Sequence, residues 1–257
     1  MSNFHPSAVI SPNAKIGENV AIGPFSLVED DVEIGDGTHI YSNVVIGNGA
    51  RIGKECKIFP GAVIAMEPQD LKFKGEKTLA IIGDRTTIRE CVTINRGTTF
   101  SGEARIGSDC LIMAYCHVAH DCVIGDHVVM GNGCQLAGHV TIHDWAILGG
   151  MAHVHQFCTV GKHTMIGATV LLTKDVAPYA LTGRDPIRVM GINKIGLRRR
   201  GFSYDDIDAI DAFYQTVFFS SLNTTDGIER FKSEHDISPL VQECIDFIEN
   251  SKRGVYR

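Results

Sequence analysis

The stretch HVAHDCVIGDHVVMGNGCQLAGHVTIHDWAILGGMAHVHQ, residues 117–156, decides the fold. Aliphatic residues recur in it every six places, at Val118, Ile124, Met130, Leu136, Ile142, Leu148 and Val154. An amphipathic helix needs apolar residues three and four apart, and a half-buried strand alternates by two. A period of six fits neither, but it fits a prism of three short faces with 18 residues to a coil, and a fixed repeat outranks local propensity in setting architecture. Residues 18 apart then stack across parallel strands about 4.8 Å apart. His120, Gly138 and Gln156 fall in one column and Asp121 and His139 in the next, with His117 and His155 close by.

Working outward, the same phase runs from Ile10 through Ile16, Ile22, Val28, Ile34, Ile40, Ile46, Ile52 and Ile58 to Ile64. Glycine often follows the aliphatic residue (Gly17, Gly23, Gly35, Gly47, Gly53), as expected if it makes the sharp corners. The pattern lapses over 65–81, where Asp70 and Glu76 hold aliphatic places and Pro68 and Gly75 interrupt. This predicts a loop thrown out from the prism, and a long loop in a compact fold is commonly functional. Phase returns at Ile82, Ile88 and Ile94, a weaker excursion is expected around 96–104, and hexads continue from Ile106 to Leu172.

Past Pro178 the hexads stop. Residues 179–202 read as a connector with a basic end, Arg198-Arg199-Arg200. Three helices follow. Ser203 and Asp206 form a capping-box pattern, a second helix is expected over 225–234, and a third opens at Ser238-Pro239 and closes at Gly254. The expected division is a mainly β parallel β-helix over 1–190, with its external loop near 65–81, and a helical domain over 191–257.

A net charge of −6 and a pI near 6.0 argue against a general nucleic-acid binder. No stretch approaches the ~18 apolar residues of a membrane span, and the first residues lack the pattern of a secretory signal, so a cytoplasmic protein is expected. Six of eight cysteines (Cys56, Cys110, Cys116, Cys122, Cys134, Cys158) stand four places after an aliphatic residue, where small groups recur. They read as core thiols. Cys116 and Cys134 should stack, but in a reducing compartment they are expected to stay unpaired.

A histidine at a prism corner is by default solvated or structural. His127, Trp145 and His163 are also 18 apart, at another corner, and read as a structural stack. The 117–156 corner differs because its groups complement one another. A carboxylate beside an imidazole fixes its tautomer and stabilises the imidazolium, and histidine is the usual general base near neutral pH. Gly138 above His120 leaves room for a substrate, and its N–H could face a developing oxyanion. With no serine or cysteine nucleophile at that corner, direct transfer is expected. Zinc is the rival reading, but no CxxC pair supports it and the histidine spacing is not that of the three-histidine β-helix enzymes resembling gamma-class carbonic anhydrases.

HVAHDC (117–122), LAGHV (136–140), GGMAHVHQFC (149–158), GLRRRGFS (196–203), PQDLKFKGE (68–76) and INRGT (94–98) together resemble the bacterial acyl-[acyl-carrier-protein]:UDP-N-acetylglucosamine O-acyltransferases, over essentially the whole chain. Single hexads are common to many transferases; the histidine motifs, external loop and GLRRRGFS in combination are specific. The resemblance implies a homotrimer of left-handed parallel β-helices with the site between neighbours. It implies transfer of an (R)-3-hydroxyacyl chain from acyl carrier protein to the 3-hydroxyl of UDP-N-acetylglucosamine, the first step of lipid A biosynthesis. His120 would be the general base, Asp121 would orient it, and the Gly138 N–H would hold the oxyanion. Asp70, Lys72, His117, His139, His155, Gln156, Asn193 and Arg199 would hold the sugar nucleotide or acyl chain, and Arg200 extends the anion-binding run. Lys194, Arg198, Lys252 and Arg253 would meet the acidic carrier protein. No metal and no cofactor beyond the carrier's phosphopantetheine are implied.

One departure from that family's pattern is Ile195, where an acidic residue is expected two places after the asparagine of GINKIG. It leaves open a 3-amino sugar acceptor, hence amide transfer. An N-acyltransferase of the same pathway would carry an N-terminal uridine-binding domain, for which hexads beginning at Ile10 leave no room. Acetyl-CoA-dependent hexapeptide enzymes usually lack this loop and tail, and a purely structural β-helix would not need the stacked corner.

Overall fold

Each hexad folds as the same small unit, two residues of strand with the first facing out and the second buried, then a four-residue corner. In the computed structural model, which describes residues 3–257, these units wind into a parallel β-helix. Among the described residues its three faces carry 11, 9 and 8 strands. The first face includes Leu111–Ile112, Val129–Met130, Ile147–Leu148 and Met165–Ile166; the second His117–Val118, Gln135–Leu136 and His153–Val154; the third Val123–Ile124, Thr141–Ile142 and Thr159–Val160. The buried column is the aliphatic repeat itself: Ile40, Ile46, Ile58, Ile88, Ile112, Val118, Met130 and Leu136 are all fully buried. At about 1.5–3 kcal/mol per buried aliphatic side chain, this column is the main source of cohesion in a fold without long strands.

The inter-coil register explains why the repeat keeps phase through its interruptions. Val118 pairs with Leu136, eighteen residues on. Ile64 instead pairs with Ile94, thirty on, and Ile94 with Val118, twenty-four on. The insertions are therefore twelve and six residues, whole numbers of hexads. The strands flanking the external loop reach further than the sequence reading allowed, over Val63–Met66 and Leu79–Ile82, so the loop proper is 67–78.

The expected role of the post-aliphatic glycines needs correction. Gly17, Gly23 and Gly35 do not have positive φ. A Cβ on Gly35 would lie 2.6 Å from the Gly53 carbonyl carbon of the next coil, so close approach of backbones excludes a side chain there. The left-handed residue stands two places later and is often not glycine, as at Asn19, Phe25, Asp121, His139 and Phe157. The eight cysteines are all free. The core thiols also satisfy corner carbonyls one coil away, Cys116 donating to Gly131 O at 3.0 Å and Cys122 to Ala137 O at 3.1 Å.

The supposed connector 179–202 is structured. Ala180–Gly183 and Arg188–Ile192 pair as an antiparallel hairpin that continues the first face, and helix α1 covers Lys194–Arg199. Helix α2, Tyr204–Phe218, has the Ser203–Asp206 capping box. Helix α3, Thr224–Glu234, starts one residue before its expected position and is capped by Asn223, and α4, Pro239–Asn250, is capped at Ser251 rather than closing at Gly254. Buried Phe213, Tyr214, Val217 and Phe218 of α2 pack this tail, and the Tyr214 hydroxyl donates to Pro178 O at 2.6 Å.

Candidate active site

The corner between the second and third faces brings His120, Asp121, Gly138 and His139 together. Asp121 sits at φ 58°, and its side chain is fully shielded from solvent. Its Oδ2 takes the His120 Nδ1–H at 2.7 Å and the Thr98 hydroxyl at 2.7 Å; Oδ1 takes the Thr98 N–H at 3.0 Å and the Ser101 hydroxyl. Burial alone would raise the Asp121 carboxyl, but the hydrogen bonds from Ser101, His120 and Thr98 overcome it and hold it down at about 2. An ionised Asp121 accepting at Nδ1 leaves His120 Nε2 with a free lone pair, the state a general base needs.

Gly138 stacks directly over that imidazole: a Cβ there would lie 2.5 Å from His120 Cε1. Its N–H has no acceptor among the described residues. The corresponding N–H groups of the corner between the third and first faces are capped by the next coil, Ser108 N by Asp126 Oδ1 at 2.7 Å and Asp126 N by Asp144 Oδ1 at 2.8 Å. The place one coil above Gly138 is Gln156, which makes no such bond. An unpaired backbone donor beside a general base is the geometry of an oxyanion site.

His139 lies with Nδ1 3.8 Å from Asp121 Oδ2 and without a hydrogen-bond partner. Burial pushes its pKa down, against the pull of Asp121. Phe157 stacks on its ring at 4.4 Å and Phe100 meets it edge-on at 4.5 Å. His117, on the second face, holds Nδ1 2.7 Å from Thr93 Oγ1, and burial followed by the neighbouring His120 lowers its pKa. His155 and Gln156 are exposed one coil further on. In the external loop the Asp70 carboxylate accepts the Lys72 N–H at 3.0 Å. The root of that loop is tied to the prism by Asn95 Nδ2 on Glu67 O at 2.9 Å and by Arg96 on Ala65 O at 3.1 Å.

The metal reading gains little here. His120, Asp121 and His139 have ligand-capable atoms within 4.8 Å of one another, but the Asp121 oxygens are saturated by donors and His120 Nδ1 is one of them. Only His120 and Asp121 of the trio are hydrogen-bonded to each other; His139 stands beside the pair without a bond to it.

Asn193, Arg199 and Arg200 are not at this corner in the single chain. Asn193 Nδ2 donates to His163 O at 3.0 Å and its Oδ1 caps α1 at Gly196 N. With Arg199, Ile195, Met165 and Ile147 it lines a cavity of about 670 Å³ on the first face. Arg200 turns the other way, over the Trp145 ring at 5.1 Å and 3.4 Å from His163 Nδ1. There it joins the stack His127–Trp145–His163, which forms as the sequence suggested and which Tyr179 extends, with ring centroids 4.0, 6.2 and 5.8 Å apart. Of the basic residues, Lys194 pairs with Asp211 at 2.7 Å and Arg198 lies over Tyr204 at 5.6 Å.

Sequence reasoning missed Thr98 and Ser101. A hydroxyl does share the corner, brought by the six-residue insertion, but it serves Asp121 rather than standing free as a nucleophile. The available signal was the Thr-Thr-Phe-Ser run at 98–101, where the repeat count asks for an aliphatic residue at 100 and Phe100 instead stands exposed.

Fold and corner together define a left-handed parallel β-helix transferase of the hexapeptide-repeat type. The bacterial transferase hexapeptide model (six repeats) matches residues 31–65 and 103–138, and the Udp N-acetylglucosamine O-acyltransferase domain 2 model matches 175–256. An acyl-[acyl-carrier-protein]–UDP-N-acetylglucosamine O-acyltransferase of Chlorobaculum tepidum is 56% identical over 257 residues, covering 100% of this chain and 96% of the relative. Its counterpart from Chlorobaculum parvum is 54% identical, covering 99% and 97%. The UDP-N-acetylglucosamine acyltransferase structure from Bacteroides fragilis superposes with a TM-score of 0.97 at 48% identity, covering 98% of this chain and 99% of that one. The chain belongs to the UDP-N-acetylglucosamine O-acyltransferase family.

Proposed function

We propose that the chain transfers an (R)-3-hydroxyacyl group from acyl carrier protein to the 3-hydroxyl of UDP-N-acetylglucosamine, the opening step of lipid A synthesis. The observation that carries this reading is the His120–Asp121 hydrogen bond of 2.7 Å beneath an unobstructed, unpaired Gly138 N–H. His120 Nε2 takes the proton of the sugar hydroxyl as its oxygen attacks the thioester carbonyl carbon. The Gly138 N–H meets the tetrahedral oxyanion. Collapse breaks the C–S bond, and the imidazolium returns its proton to the departing pantetheine thiolate. Atoms and charge balance without a metal or cofactor. A placed general base contributes about 10²–10⁴-fold and one oxyanion donor about 3 kcal/mol.

A complete site in this account needs more than one copy of the chain. The His120 corner lies between the second and third faces, while the Asn193–Arg199 cavity opens on the first. A homotrimer that sets one copy's corner against its neighbour's cavity unites them, with His117, His139, His155, Gln156, Asp70 and Lys72 on one side and Asn193 and Arg199 on the other. Arg200 then acts by backing the aromatic stack. Lys194, Arg198, Lys252 and Arg253 offer the acidic carrier protein a docking face. Among the described residues no helix is long and apolar enough to cross a membrane, and the reading places the reaction in the cytoplasm.

Ile195 is 66% exposed at the cavity rim, which keeps a 3-amino sugar nucleotide as the second acceptor to assay. Mass spectrometry of the product from purified protein, UDP-N-acetylglucosamine and a panel of hydroxyacyl carrier proteins tests the reading. A 3-O-acylated sugar nucleotide is expected. Product only with the 3-amino sugar would convert the reaction to amide transfer, and product only from acetyl-CoA would overturn the carrier-protein reading.

A further inference from the structure

We infer that Thr98 and Ser101, on the six-residue insertion, are positioning residues for acyl transfer that fix the Asp121 carboxylate in the orientation His120 requires. The inference rests on the reading of His120 as general base.

Three observations carry it. First, the contacts divide the carboxylate cleanly. Thr98 N–H and Ser101 Oγ engage Oδ1, while the Thr98 hydroxyl and His120 Nδ1 share Oδ2. With both oxygens held, the carboxylate cannot rotate away from the imidazole. Ser101 Oγ also lies 2.8 Å from the Glu103 carbonyl, but its single proton favours the charged acceptor. Second, the insertion is closed by bonds of its own as well as by the Thr98 and Ser101 N–H groups that donate to Asp121 Oδ1 at 3.0 and 3.3 Å. Its own bonds are Gly102 N on Thr98 O at 2.8 Å and Gly97 N on Leu79 O at 3.0 Å, with Thr78 Oγ1 on Gly97 O at 2.5 Å. Each hydroxyl accepts a loop N–H, Thr98 Oγ1 from Phe100 at 3.2 Å and Ser101 Oγ from Glu103 at 3.4 Å, which leaves its proton for the carboxylate and fixes the direction in which it is donated. Third, the same segment grips the external loop through Asn95 and Arg96. Residues 95–101 therefore hold the Asp70–Lys72 loop in register with the His120–Asp121 pair.

The hydroxyls also tune charge. Oδ2 divides its lone pairs between Thr98 and His120. Without the Thr98 hydroxyl, more of the carboxylate charge faces Nδ1, and the imidazolium is stabilised. The other titratable groups facing the pair are His139, 3.8 Å from Oδ2, His117, which interacts with His120, and Asp70, whose charge reaches His139. None of these is altered by a change at Thr98.

The test compares Thr98→Val and Thr98→Ser in the intact protein, measuring kcat, KM for the sugar nucleotide and the pH profile of kcat. Thr98→Val should lose about 10–50-fold in kcat, the size of one hydrogen bond to a charged group, with KM within about threefold. Its acid limb should move to higher pH, and Thr98→Ser should recover to within about threefold of the parent. A kcat for Thr98→Val within threefold of the parent, an unmoved acid limb, or a Thr98→Ser as poor as Thr98→Val overturns the inference. If Thr98→Val does not fold, Ser101→Ala takes its place, with about a 5–10-fold loss expected and no loss overturning it. The His120 imidazole titration followed by NMR separates the two readings. It should move to higher pH in Thr98→Val even if the parent makes no acyl product, which would sink the acyl-transfer reading alone; an unmoved titration sinks the positioning role.

Discussion

Replacing Gly138 by alanine should disable catalysis and spare the fold. The new Cβ would stand 2.5 Å from His120 Cε1, 2.7 Å from Nε2 and 3.2 Å from Nδ1. Carbon contacts settle at about 3.5–4.0 Å, so the ring must retreat by about 1 Å. The His120–Asp121 bond is 2.7 Å long, and a ring pushed about 1 Å off its axis holds that bond longer and misaligned. The imidazole loses its orientation and its reach together. Misplacement by about 1 Å costs about 10²-fold, and outright loss of the base about 10²–10⁴-fold. We expect kcat to fall about 10²–10³-fold. Gly138 does not have positive φ, so alanine adds no backbone strain, and denaturant stability should fall by no more than the loss of one bond to a charged group, about 1.5–3 kcal/mol. The assay is steady-state turnover with saturating hydroxyacyl carrier protein and UDP-N-acetylglucosamine, beside sedimentation to confirm the assembly. A Gly138→Ala protein turning over within threefold of the parent would refute the stacked geometry as the basis of the site.

Asp121→Asn removes the charge that faces Nδ1 and sets an amide against the Thr98 and Ser101 donors; turnover should drop about 10²–10⁴-fold with KM much less affected, measured by the same assay. The His163 ring is buried, and burial together with Arg200 brings its pKa down to about 4. The unfolded chain takes up this proton below pH ~6.5 and the folded chain only near 4, so stability should fall as pH drops through that window and level off below it. The contribution is about 2–3 kcal/mol. Urea midpoints at pH 7 and 4.5, at one protein concentration, should differ less in His163→Phe than in the parent; equal differences would contradict the argument.

The prism was legible because its physics is periodic. One aliphatic residue in six is buried, and Ile40, Ile46, Ile58 and Leu136 stand where counting put them. The His120–Gly138 and Asp121–His139 columns followed from the 18-residue coil alone. What escaped was non-periodic. The hairpin at 180–192 and the short helix α1 continue the first face without a hexad to mark them. Thr98 and Ser101 reach Asp121 because a whole extra hexad bulges at the corner; the count shows the excursion around 96–104 but not which carboxylate its hydroxyls meet. The substrate role of Asn193 comes from the family resemblance alone; in the single chain both ends of its amide bond to the protein, on His163 O and Gly196 N. In the proposed trimer the His120 corner and the Asn193 cavity would meet across neighbouring copies, which one chain's periodicity does not carry.

The most direct test of the central claim is single-turnover acyl transfer by His120→Ala beside the parent, with both substrates saturating and the assembly verified by sedimentation. The account expects at least a ~100-fold loss with substrate binding retained. Turnover within threefold of the parent would remove His120 as the base and with it the mechanism built on this corner.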